Sequence, residues 1–69
     1  MIKKIYISGM ACNHCKKSVE DALITLNGVK SAVVDLDAKC ATVETDGNIA
    51  DNIFTDLIDG IGFTVDSIE

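Results

Sequence analysis

Two cysteines three positions apart, Cys12 and Cys15, lie in the stretch SGMACNHCKK, with His14 between them, Gly9 and Met10 just ahead, and Lys16 and Lys17 just behind. Four chemistries use such a thiol pair: a structural disulfide, a redox dithiol, part of a zinc site, or a soft metal held by two thiolates. The cysteine count is three, an odd number, and MIKKIYI places lysines inside the only apolar run near the start. No uninterrupted stretch there is long enough for a signal peptide or a membrane span. The expectation is a soluble, cytosolic chain without membrane insertion, in a reducing setting where disulfide frameworks are rare.

A structural zinc ion wants four ligands. Beyond the pair the chain offers only Cys40 and the single His14, and His14 lies within the short span between the cysteines, where a strain-free tetrahedron is hard to close. A thioredoxin-like dithiol also sits between a strand and a helix. Those folds are longer and set a cis-proline against the motif, and this chain has no proline. Two thiolates with no further obligatory ligand suit a soft, low-coordination ion: Cu(I), or Ag(I) or Hg(II) in its place.

The elements that position the pair can be read from the apolar spacing. Residues 2 to 8 alternate, with Ile5 and Ile7 on one face and Lys4, Tyr6 and Ser8 on the other, as in a strand buried on one side. Gly9 ends it. Val19, Ala22, Leu23 and Leu26 then recur at helical spacing, with Asn13 as the N-cap and Asn27-Gly28 as the stop. Cys12 thus falls in the loop and Cys15 in the first helical turn, where unpaired backbone N–H groups and the positive end of the helix dipole favour a thiolate.

Ala32, Val34 and Leu36, then Ala41, Val43 and Thr45, alternate as two strands joined by a turn at 37 to 39. Asn48 is placed to cap a second helix whose stripe is Phe54, Leu57, Ile58 and Ile61, Gly60 and Gly62 close it, and residues 63 to 68 read as a last strand. The order predicts one α+β domain over residues 1 to 69, a ferredoxin-like βαββαβ sandwich with two helices on one face of a four-stranded antiparallel sheet. In that topology the loops 9 to 14, 37 to 39 and 60 to 63 share one end, so the cysteine pair, Lys39 and Phe63 should be neighbours.

Residues 1 to 39 hold all six lysines against four acids, and residues 40 to 69 hold seven acids and no base, for a net charge of −5. With no arginine and no dense basic stripe, nucleic acid is excluded as a partner. Lys16, Lys17 and Lys39 cluster at the loop end and form a docking face for an acidic partner domain. The apolar pattern at the end of the strand makes Met10 core rather than a thioether ligand. His14 and Cys40 are the auxiliary metal donors on offer; alternation puts Cys40 on the polar face with Thr42 and Glu44, as a surface thiol.

The run Gly9-Met10-Ala11-Cys12-Asn13-His14-Cys15, with Gly28-Val29, Asp46 and Gly62-Phe63 at later stations, resembles the heavy-metal-associated domain family across essentially the whole chain. Within it the chain is most similar to the bacterial cytosolic copper chaperones. The resemblance implies Cu(I) bound by Cys12 and Cys15, Gly9, Met10 and Phe63 supporting the loop, and delivery to the metal-binding domain of a copper-transporting P-type ATPase. Zinc and cadmium members commonly carry an acidic residue directly before the first cysteine, where this chain has Ala11. The departure is Phe63, since free chaperones of the family usually have Tyr there and pump-fused domains Phe. The readings to be separated are therefore a free, non-enzymatic Cu(I) chaperone, which the chain's own Met1 favours, a metal-binding regulatory domain of a transporting ATPase, and a thiol-disulfide oxidoreductase. A homodimer bridged by one metal ion through two cysteine pairs is a further arrangement of the first.

Overall fold

The computed structural model describes residues 1–10 and 13–69. The elements run β1 (Ile2–Ser8), α1 (Asn13–Ile24), β2 (Val29–Asp35), β3 (Cys40–Thr45), α2 (Asp51–Gly60) and β4 (Thr64–Ile68). They form one sheet of order β2-β3-β1-β4 with every neighbouring pair antiparallel, the split βαβ arrangement expected. β1 is central and pairs with β3 from Ile2↔Glu44 to Tyr6↔Cys40, and with β4 from Ile5↔Ile68 to Ser8↔Thr64 across a bulge.

The period-two pattern determines the core. Ile5, Ile7, Val34, Ala41 and Val43 come from the helix-covered face of the sheet, Val19 and Leu23 from α1, and Phe54 and Ile58 from α2. Met10 joins them from the loop. α1 packs mainly on β2, and α2 on β4. The end remote from the cysteine loop is closed by polar contacts. The Met1 ammonium donates to the Thr45 carbonyl at 2.7 Å, the Thr45 N–H donates to the Met1 carbonyl at 2.7 Å, and the buried Thr45 hydroxyl donates to the Gly47 carbonyl at 2.7 Å.

Three helix-end expectations are corrected. Asn13, expected as the N-cap, is itself the first residue of α1. α2 starts at Asp51 with Ala50 at the cap position and no side-chain cap bond, so Asn48 does not cap it. The half-buried Ile49 packs on the core, and Ala50 after it is extended at φ −62° and ψ 141°, so the helix starts only at Asp51. Asp51 then lies in the first turn, where its charge complements the dipole, and Lys3 Nζ donates to Asp51 Oδ1 at 2.8 Å. Ile61 is not part of the buried stripe: α2 ends at Gly60, Ile61 takes φ −99° and ψ 6° as the C-cap, and its side chain is 38% exposed.

Because every stripe is buried without a metal, the apo protein is predicted to show the circular dichroism of a folded α+β chain, unlike a zinc finger. Phe54→Ala should cost about 3–5 kcal/mol of a total near 5–10 kcal/mol. Urea denaturation of the reduced apo protein measures both.

Candidate metal centre

Cys15 is the third residue of α1, half-buried and packed against the core. Its sequence partner Cys12, and Ala11 before it, lie outside the described residues. What precedes them is fixed from both sides. Gly9 has φ +95°, a conformation that side chains rarely adopt, and a Cβ built there would lie 3.4 Å from Phe63 Cδ1. Met10, next in the chain, is buried in the core, so the loop is anchored by an apolar side chain pointing inward, as the apolar pattern at the strand end predicted.

The end of α2 places Phe63. The Phe63 N–H donates to the Ile58 carbonyl at 3.1 Å, the Gly62 N–H donates to the Asp59 carbonyl at 3.1 Å, and Gly62 has φ +96°. This is a Schellman closure, in which glycine takes the left-handed position and the following residue turns back over the helix. The half-buried Phe63 ring is thereby delivered against Gly9.

The β2–β3 turn arrives from the other side. The Ile7 N–H donates to the Lys39 carbonyl at 2.9 Å, and Lys39 itself is left-handed at φ +55°. Lys16, half-buried, lines a shallow groove with Val33, Val34, Asp35, Leu36 and Asp37. Lys17 and His14 are exposed on the first turns of α1. The structure therefore brings Gly9, Phe63, Lys39 and the start of α1 to one end, as the topology required. Asp35 and Asp37, which the sequence reading does not assign to this end, line the same groove as Lys16. The signal was present in the sequence as the acidic pair at the close of the second strand.

Cys40 is a correction. It was expected as a surface thiol, yet it is only 8% exposed. Alternation assigned its face rightly, since its neighbours Ala41 and Val43 are the ones in the core. The burial comes from its central strand, with Tyr6 paired opposite on β1 and Asp35 on β2. The Tyr6 hydroxyl donates to Glu69 Oε1 at 3.3 Å, and the Glu69 carboxylate raises the phenol above its ordinary range. The sheet thus separates Cys40 from the helix layer that carries Cys15. Among the described residues no three His, Cys, Asp or Glu side chains gather into a metal-binding group.

The heavy-metal-associated domain family model matches residues 4–63, and the chain belongs to that family. A copper chaperone CopZ of Staphylococcus haemolyticus is 52% identical over 46 residues, covering 67% of this chain and 68% of the relative. Among solved structures, a CopZ metallochaperone superposes with a TM-score of 0.87 at 35% identity over 94% of this chain and 98% of that one. A copper-binding domain of HMA7, a P-type ATPase, does so with 0.85 at 34% identity over 100% and 99%. This membership puts the chain among metal carriers rather than enzymes.

Gly9→Ala is predicted to destabilise the apo protein by about 1–2 kcal/mol, the cost of a left-handed residue with a Cβ. Since the 3.4 Å approach to Phe63 is ordinary contact, the strain is in the backbone. Adding Phe63→Ala should not recover the loss, and thermal denaturation of the single and double variants compares them.

Proposed function

We propose that the chain is a Cu(I) carrier that holds one ion between the Cys12 and Cys15 thiolates and hands it to the metal-binding domain of a copper-transporting P-type ATPase. The observation that carries this reading is the seating of Cys15. It lies in the first turn of a helix whose entry loop is held by a left-handed Gly9 and an inward Met10, in a chain similar to named copper chaperones. Each sulfur would bind the ion as a thiolate, giving up its proton on binding. A soft monovalent ion is satisfied by two such donors, and its remaining coordination side stays open. A partner thiolate attacks on that side, one donor cysteine leaves, and the ion crosses without change of oxidation state, by the same exchange logic as at a disulfide sulfur. The reading assigns the protein to a reducing, cytosolic setting. Ag(I) and Hg(II) would compete for the same thiolates, and a homodimer sharing one ion is the form that two loaded and unloaded copies would take.

Cys12→Ser or Cys15→Ser should abolish tight Cu(I) binding in competition with a Cu(I) chelator, because a hydroxyl replaces a soft anionic donor. Cys40→Ser should keep the affinity within about threefold, a change under 1 kcal/mol. Unchanged competition by either member of the pair would overturn the site.

Lys16, Lys17 and Lys39 are proposed to steer an acidic partner to the loop. Lys16→Glu combined with Lys17→Glu should slow Cu(I) transfer to a pump domain while chelator competition changes much less. Added salt should slow the unmodified protein, because charges at an interface rim act mainly on association rate and are screened beyond about 10 Å at 0.1 M. Stopped-flow transfer at low and high salt measures this, and equal rates throughout would reduce the lysines to solvated charges.

A further inference from the structure

An open sheet ends in two strands, each presenting a row of backbone donors and acceptors on which another strand can form. The edges here are β2 and β4. β4 is protected by its own form: it has five residues, its register with β1 shifts at a bulge, and it carries Asp66. β2 has seven residues, and from Ser31 to Asp35 its pairing with β3 runs without a shift. Its Val33 side chain is 61% exposed. Although the β2–β3 register also shifts between Val29 and Ser31, β2 is the longer edge and has the longer unshifted run, so it is the more vulnerable one.

In an antiparallel ladder the N–H and C=O of one residue point to the same side of the strand. The Val34 N–H does not serve β3: it donates to Glu20 Oε2 of α1 at 2.9 Å, in a partly buried bond. Glu20 follows Lys16 by one helical turn, and Lys16 lines the groove that continues along Val33 to Asp37. The helix therefore overhangs the edge and lowers a carboxylate onto one of its donors. Hydrogen bonds with an ionised acceptor are the stronger kind.

We infer that Glu20 guards the β2 edge against addition of β2 from a second copy of this chain. The edge is complementary to itself. β2 carries Lys30, which also pairs with Asp46 of its own chain at 3.2 Å, as its second residue and ends with Asp35, so two copies approaching antiparallel bring the basic end of each strand beside the acidic end of the other. Glu20 opposes that pairing by occupying the Val34 donor and by placing a side chain where the incoming backbone would run.

The test uses the full chain, reduced and with metal chelated, so that no ion bridges the cysteine pairs and the outcome is independent of the carrier reading. In the unmodified protein the Val34 amide should exchange with solvent at least about tenfold more slowly than the Ala32 amide on the same edge. Equal rates would overturn the proposal without any variant. Glu20→Ala should accelerate Val34 exchange about tenfold in dilute solution and raise the sedimentation mass toward two chains at millimolar concentration. Glu20→Gln, which keeps an acceptor oxygen, should stay monomeric. Adding Val33→Lys to Glu20→Ala should restore the monomer, because like charges then face each other across the edge. A Glu20→Ala protein that remains monomeric, or one whose association ignores Val33→Lys, would overturn it.

Discussion

The loop leading to the cysteine pair continues the central strand at Gly9 and Met10, and the rest of the structure follows from how that strand is paired. β1 is bonded on both sides, to β3 and β4, and its buried face supplies Ile5 and Ile7 to the core. A strand held in this way has little freedom at its end. Pairing with β3 draws the β2–β3 turn alongside Ile7, and pairing with β4 draws Phe63 onto Gly9. Met10 then fastens the next residue from below. The two flanking strands that stabilise β1 are thus also the ones that deliver the surroundings of the site, so fold stability and site geometry rest on the same hydrogen bonds.

The architecture was legible in the sequence because each element carries a periodic apolar face with glycine or polar punctuation between. Alternation around Ile5, Ile7, Ala41 and Val43, and helical spacing through Val19, Leu23, Phe54 and Ile58, all resolve to one side of one sheet. Periodicity reports direction, however, and says less about crowding. Cys40 points to the face that alternation gave it and is buried all the same, because a central strand has neighbours on both sides and one of them is Tyr6. The helix starts were the least legible feature. A capping residue is recognised by type, but where the helix begins depends on what the chain ahead of it is packed against, and here Ile49 decides that for α2.

The loop end was legible in its residues and incomplete in its electrostatics. The three lysines stand out because residues 40 to 69 carry no base. Asp35 and Asp37 lie 18 or more positions from Lys17, and only the packing of α1 on β2 brings them beside Lys16. The long-range bonds are invisible to pattern reading for the same reason. Nothing local to Glu20 marks it as the partner of a backbone amide 14 positions away.

The Schellman closure of α2 places Phe63 through main-chain bonds made by Gly62 and Phe63 itself, with the left-handed turn supplied by a glycine. The aromatic ring over Gly9 is therefore held in a socket defined by backbone, and the identity of the ring is a separate variable. A single hydroxyl on that ring would change the polarity of the surface beside Gly9 while leaving the socket unchanged. Tuning of the site and preservation of the fold are then assigned to different atoms of the same residue.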